Sequence, residues 1–210
     1  VLDRIVDWLA HEEIGWLMAM PGMIEALIDA SRGQRIRSVR MVGAMADLVA
    51  PAQIAELTAL VGAPYLNSFG STETGLPPAS GALLAAGELP RSLSKRESGG
   101  CLVRLVDDQD QEVPLGTPGE MTVRGPTLFS GHWANPQANA TDFRGGWFHM
   151  GDLFVRHANG SLDFVDRLKY LIKSGGENIY PAEVERVLLT HPRVRDAAVV
   201  WAGETLRWVG

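Results

Sequence analysis

The run Asn67-Ser68-Phe69-Gly70-Ser71-Thr72-Glu73, continuing to Gly75, gathers small hydroxyl residues and glycine directly after a short apolar stretch. Glycine lets main-chain N–H groups come close to a phosphate. Thr72 adds a hydroxyl for phosphate, Glu73 a hard oxygen suited to Mg²⁺, and Phe69 a flat face for a base. Such a loop lies at the C-terminal end of a strand, where open α/β sheets bind ligands. The same residues also describe a Ser/Thr-rich surface turn that caps a helix.

Two further patches carry groups of the same kind. In Gly146-Trp147-Phe148-His149-Met150-Gly151-Asp152, Asp152 is either a turn residue or a short carboxylate able to grip two ribose hydroxyls; His149 reads as a packed residue. In Asp166 to Ile179, the basic run with Arg167, Lys169 and Lys173 leads into Gly175-Gly176. Arg167 offers a planar fork for phosphate or ribose oxygens. The alternative for that run is a solvated strand edge.

These patches need a scaffold, and the hydrophobic periodicity supplies one. Leu2, Ile5, Val6 and Leu9 fall at helical spacing, as do Ile24, Leu27 and Ile28, and then Ile54, Leu57 and Leu60. Pro51 suits the first turn of the third helix and Gly62 its C-terminal cap. Between the helices, Trp16 to Met20, Val39 to Val42 and Tyr65 to Asn67 read as short strands. Strands alternating with helices imply a parallel sheet covered by helices, hence an α/β fold.

Residues 76–98, with Pro77-Pro78 and several Gly and Ser, read as a connector. From Leu102 the pattern becomes antiparallel. Leu102 to Val106, Glu120 to Arg124, Leu153 to Arg156 and Leu162 to Val165 are short strands, with a hairpin signal at Ala158-Asn159-Gly160. Pro181 then opens a helix with Val184, Val187 and Leu188 on one face, and Ala197 to Trp201 reads as a strand. The expected organisation is 1–98, 99–166 as an antiparallel β subdomain, and 167–210 as an incomplete α+β unit.

The 210 residues are 46% hydrophobic and 21% charged, enough apolar content for a core. A net charge of -6 gives no basic stripe for nucleic acid. The single cysteine, Cys101, rules out a disulfide within the chain and a cysteine zinc site, and its apolar neighbours suit a small core residue. No apolar run reaches membrane-spanning length. A reducing cytoplasm is the default expectation.

Together, in this order, the three patches resemble the adenylate-forming superfamily of acyl- and aryl-CoA synthetases, firefly luciferase and peptide-synthetase adenylation domains. The resemblance runs through essentially the whole chain. Asn67 to Glu73 is similar to the family's aromatic-Gly-x-Thr-Glu motif, and Gly146 to Asp152 to its Gly-Trp…Thr-Gly-Asp motif. Gly119-Glu120 and Gly131 resemble the segment between them. Ser174-Gly-Gly-Glu-Asn-Ile-Tyr-Pro-Ala-Glu-Val-Glu185 resembles the opening of the family's mobile C-terminal domain.

The resemblance implies a role for each matching residue. Asn67 to Ser71 would form the nucleotide-facing wall, with Ser68, Gly70 and Ser71 around Phe69, which would stack on adenine. Thr72 would contact the α-phosphate and Glu73 would help hold Mg²⁺. Asp152 would bind the ribose hydroxyls with help from Arg167, and Lys169 would stand at the hinge between two half-reactions. Gly175 and Gly176 would line the path of the CoA pantetheine arm. Gly43 and Ala44 would wall the carboxylate pocket, together with Met45 and the region Gly75 to Pro78. Two residues depart from the pattern: Phe69 stands where Tyr is usual, and Met150 where Thr is usual.

By the same resemblance, the phosphate loop with its lysine would lie before Val1 and a late catalytic lysine after Gly210. The chain is then expected to be a piece of a longer enzyme, inactive on its own. The implied reaction uses ATP to turn a carboxylic acid into acyl-AMP and then a thioester with CoA. The Gly-Gly-Glu-Asn-Ile stretch favours CoA over peptide-synthetase chemistry. Transfer to a carrier protein, a luciferase-like oxygenase using Lys173, and a non-catalytic nucleotide binder are the rival expectations.

Overall fold

The computed structural model describes residues 2–34, 36–44, 49–174, 177–191, 193–194 and 197–201. The chain divides into two compact units, Val1–Phe69 with Ala79–Lys95, and Gly70–Pro78 with Arg96–Gly210.

The first unit alternates helix and strand: α1 (Leu2–His11), β1 (Trp16–Met18), α2 (Ile24–Ser31), β2 (Met41–Ala44), α3 (Pro51–Val61), β3 (Tyr65–Phe69) and β4 (Ala79–Leu84). β1, β2 and β3 are parallel neighbours, and β4 runs antiparallel to β3. The register sets Leu17 beside Val42 and Val42 beside Tyr65. These three side chains share one core with Leu9, Ile24, Leu27, Ile54 and Leu57 from the helices. That is the expected parallel sheet covered by helices. Gly62 ends α3 in the left-handed conformation at φ 66°, as its position implied.

Two local expectations change. β3 runs past Asn67 to Phe69, so Ser68 and Phe69 are strand rather than loop. Tyr65, Asn67 and Phe69 continue one buried alternation, and Ser68 and Phe69 pair with Ser80 and Ala79 of β4. The region read as a connector therefore holds a strand. Its sequence Ala-Ser-Gly-Ala-Leu-Leu has too little apolar alternation to announce one, and it gains its form from the ladder with β3.

In the second unit, after the two-residue strand β5 (Arg96–Glu97), the strands β6 (Leu102–Val106), β7 (Pro118–Arg124), β8 (Phe148–Arg156) and β9 (Leu162–Arg167) form an antiparallel meander in that order. Helix α4 (Pro136–Asp142) lies between β7 and β8 in sequence. The Asn-Gly hairpin is present: Gly160 has φ 79° and Ser161 N–H donates to Asn159 Oδ1 at 2.9 Å. Phe129, Phe143 and Phe148 form a ring cluster with centroids 5.2–5.3 Å apart.

A hairpin of β10 (Ile172–Ser174) and β11 (Glu177–Ile179) and the helix α5 (Pro181–Leu188) follow. The buried residues of α5 are Pro181 and Ala182; of the expected apolar stripe, Val184 and Leu188 are half-buried and Val187 is 66% exposed, so the stripe is only partly covered among the described residues. Ala197 to Trp201 holds one bridge position rather than a strand; Val199 N–H is spent on Glu185 Oε1 of α5 at 2.8 Å.

Candidate functional site

The phosphate-type loop begins as a pinned turn. Thr72–Thr74 is a single 3-10 turn. Ser71 N–H donates to Thr74 Oγ1 at 3.1 Å, and that hydroxyl donates back to Ser71 O at 2.9 Å. The segment 127–129 holds the turn from outside: Thr127 Oγ1 donates to Thr74 O at 2.8 Å, and Phe129 N–H to Glu73 O at 2.9 Å. Gly75 leaves the turn at φ 68°, where a Cβ would stand 2.7 Å from Thr127 O. Only glycine fits there without strain.

Glu73 carries the electrostatic signature of this turn. The Ser71 hydroxyl beside it and its own backbone N–H hold its carboxyl below the usual range, with His132 and Arg167 adding to the pull. The side chain is therefore an anion at neutral pH.

Asp152 is presented by irregularity in β8. Thr122 pairs with His149 and Glu120 with Leu153, so Met150, Gly151 and Asp152 all stand opposite Met121. Gly151 takes φ 70° within this bulge. On the other side, Asp152 pairs with Arg167, and Val165 is the extra residue of a second bulge in β9. Arg167 Nε donates to Asp152 Oδ1 at 2.8 Å and its Nη2 to Oδ2 at 3.2 Å. Asp152 is 4% exposed, and burial raises its carboxyl above the ordinary range against the opposing pull of Arg167. Asp152 in turn holds Arg167 more firmly protonated.

Glu120 lies behind the bulge, 6% exposed. Its Oε1 accepts Gly151 N–H at 3.0 Å. Its Oε2 accepts Arg144 Nη2 at 3.0 Å and lies 2.9 Å from His149 Nδ1. Sequence reading assigned no role to Glu120 or Arg144. The available signal was a lone acid inside the strand pattern Gly-Glu-Met-Thr-Val, since a buried charge must find partners. Reading His149 as packed describes its burial; its bond to Glu120 was not legible.

A cavity of about 400 Å³ is walled by Ser71, Glu73, His132, Met150, Arg167 and Leu168, among others. His132 was also not singled out beforehand; its Nε2 lies 2.9 Å from Asp142 Oδ2. The structure thus brings Ser71, Glu73 and Arg167 together and joins Asp152 to them through Arg167. Thr72 lies in the same turn as Glu73, and Gly70 precedes it, its Cα backed by Pro77. Lys169 stands in the 3-10 turn after β9 with Nζ 4.7 Å from the Tyr170 ring centre.

The remaining candidates belong to the first unit or fall outside the described residues. Asn67 (2% exposed) and Phe69 (8%) are buried in β3 with Ser68 between them, and Asn67 Nδ2 donates to Leu93 O at 3.2 Å. Gly43 and Ala44 end β2, and a Cβ on Gly43 would meet Trp16 Nε1 at 2.8 Å. Met45, Gly175 and Gly176 lie outside the described residues.

An indoleacetate–CoA ligase of Aromatoleum aromaticum is 34% identical over 200 residues, covering 94% of this chain and 39% of that protein. A feruloyl-CoA synthase of Amycolatopsis is 46% identical over 106 residues, covering 50% of this chain and 21% of the synthase. Among solved structures, an O-succinylbenzoate coenzyme A synthetase of Bacillus subtilis, in complex with ATP and magnesium ion, superposes with a TM-score of 0.77. It is 29% identical, over 95% of this chain and 41% of that one. The chain thus spans about two fifths of the length of relatives matched along nearly all of it. The sequence model of AMP-binding enzymes matches residues 2–133, well over half of the chain, and the chain belongs to that family.

Proposed function

We propose that this chain is the nucleotide-holding part of an AMP-forming acid–thiol ligase that converts a carboxylic acid to acyl-AMP and then to a CoA thioester. The observation that carries the reading is the buried Asp152 locked in two-point contact with Arg167 beside a cavity that Glu73 lines. A short carboxylate fixed in this way suits a vicinal diol, as in ribose. The named ligases support the acid and the CoA as substrates.

In this reading Asp152 grips the ribose hydroxyls and Arg167 holds its orientation. Thr72 contacts the α-phosphate, and Asn67 to Ser71 form the wall in which Phe69 meets adenine. Gly43 and Ala44 bound the acid, Gly175 and Gly176 the thiol path, and Lys169 the hinge. The domain limits 1–98, 99–166 and 167–210 belong to the same proposal, as does a cytoplasmic location. The chain itself adds that no described helix is long and apolar enough to cross a membrane.

Mg²⁺ fits the donor set. It usually takes one or two carboxylates and completes its shell with phosphate and water. Among the described residues no three His, Cys, Asp or Glu side chains cluster into a metal site, whereas Glu73 is a single carboxylate held ionised. When bound, the ion would neutralise charge on the phosphate oxygens.

The test is thioester formation by the complete gene product with ATP, Mg²⁺ and CoA over aliphatic, aromatic and polycyclic acids. Acyl-CoA and AMP in equal amounts are expected. Acyl-AMP formation without any thioester would move the acceptor from CoA to a carrier protein. AMP bound with no turnover of any acid would leave a non-catalytic nucleotide binder.

A further inference from the structure

Glu120 is the place where three donors converge. It spends one carboxylate oxygen on the Gly151 N–H and the other on Arg144 and His149. The Gly151 contact is the informative one. Opposite Met121 the β7–β8 ladder is interrupted, so the N–H of Gly151 has lost the ladder partner that a regular strand would give it. Glu120 replaces that partner. It thereby fixes a left-handed residue whose neighbour in sequence is Asp152.

The rest of the network anchors Glu120 itself. Arg144 Nε also donates to both oxygens of Asp110, at 2.9 and 3.1 Å. His149 sits on β8 three residues before Asp152, with a side chain 4% exposed, so its bond to Glu120 ties the residue before the bulge and the middle of the bulge to one carboxylate. Arg167 on one side and Glu120 on the other thus both hold the bulge that carries Asp152. Asp152 holds Arg167 directly, whereas Glu120 is hydrogen-bonded to the neighbouring Gly151 N–H and otherwise acts on Asp152 through its charge alone.

We propose that Glu120 is a positioning residue that sets the aim of Asp152 at the ribose diol through the Gly151 N–H. The inference rests on the reading of Asp152 as the ribose-binding carboxylate. Glu120 borders the same cavity, but both of its carboxylate oxygens are engaged by Arg144, His149 and the Gly151 N–H, so its effect is expected to run through the aim of Asp152 and to fall on recognition of the diol rather than on the nucleotide as a whole.

The experiment is a calorimetric titration of the full chain with AMP and with 2′-deoxy-AMP, for wild type, Glu120→Gln, Asp152→Asn and the double variant. Outer contacts that orient a ligand-binding group are worth about ten- to a hundredfold in affinity. Wild type should prefer AMP over 2′-deoxy-AMP. Glu120→Gln should lose most of that preference by weakening AMP about tenfold or more, with 2′-deoxy-AMP less affected. In the Asp152→Asn background the Glu120 substitution should change AMP affinity little. If Glu120→Gln does not fold, Glu120→Asp is read by the same ratio, because it keeps the charge for Arg144 and His149 but shortens the reach to Gly151. Equal loss for both nucleotides, an intact preference, or an undiminished effect in the Asp152→Asn background each overturns the proposal. Wild type that binds AMP without preference for the diol overturns the reading of Asp152, and this inference with it.

Discussion

Asp152 and Arg167 are direct partners across β8 and β9, joined at 2.8 and 3.2 Å, and the two differ sharply in exposure: the Asp152 side chain is 5% exposed and that of Arg167 46%. The pair is therefore a carboxylate drawn inward and held by a cation that still faces the cavity. Arg167→Met should leave a buried carboxylate with its main counter-charge gone. Breaking a fully buried pair costs about 3–5 kcal/mol; with Arg167 half exposed, about 2 kcal/mol is expected. The urea midpoint of the full chain measures it, and an unchanged midpoint would show the pair to be incidental.

The same burial fixes a pH dependence. The folded-state pKa of Asp152 lies above its ordinary 3.8, so the folded state holds this proton more tightly than the unfolded one. Its favourable contribution is complete below 3.8 and is lost as pH rises through the raised value. Asp152→Asn should abolish that loss, so the stability difference between wild type and variant should shift against wild type across the window that starts at 3.8. Parallel curves across that window would mean that Asp152 titrates normally.

Glu73 has the opposite sign. Its folded pKa lies below 4.5, so its contribution is present above 4.5 and fades as pH falls through the lowered value. Carbon-13 titration of the Glu73 carboxyl should show the low value, and Ser71→Ala should move it upward. Glu73→Gln should remove the Mg²⁺-dependent part of ATP binding while leaving Mg²⁺-free AMP binding within about twofold, since the ion takes carboxylate and phosphate oxygens together. Equal loss in both titrations would place Glu73 on the nucleoside rather than on a metal.

Gly75 tests the frame of the turn. Gly75→Ala combines a left-handed φ of 68° with a Cβ 2.7 Å from a main-chain oxygen of Thr127. A cost of about 1–3 kcal/mol is expected in thermal or urea unfolding, with weaker nucleotide binding. A variant as stable as wild type would mean that the 72–75 turn yields freely.

The sequence showed more of the site than of its support. The parallel strands and three helices of the first unit were legible because Leu9, Leu27, Ile54 and Leu57 recur at helical spacing around short apolar strands. The motifs placed Glu73, Asp152 and Arg167 in order along the chain, and the fold class followed from alternation giving way to antiparallel pattern. What stayed hidden was tertiary. β4 has no pattern of its own and forms on β3. The bulge that aims Asp152 depends on a ladder interrupted opposite Met121, and no local propensity marks such an interruption. Glu120 looked like any strand acid until Gly151, His149 and Arg144 were found around it. The apolar stripe of α5 is legible as a pattern, but burial depends on what packs against it: Val184 and Leu188 are half-buried and Val187 lies exposed.

The most direct test of acid activation is exchange of labelled pyrophosphate into ATP by the complete gene product in the presence of a panel of carboxylic acids. Exchange that requires an acid is expected. Asp152→Ala, still folded, should lower kcat/KM for ATP about ten- to a hundredfold, the worth of hydrogen bonds to a charged group. No exchange with any acid of the panel, or an Asp152→Ala variant exchanging at the wild-type rate, would contradict the proposed function.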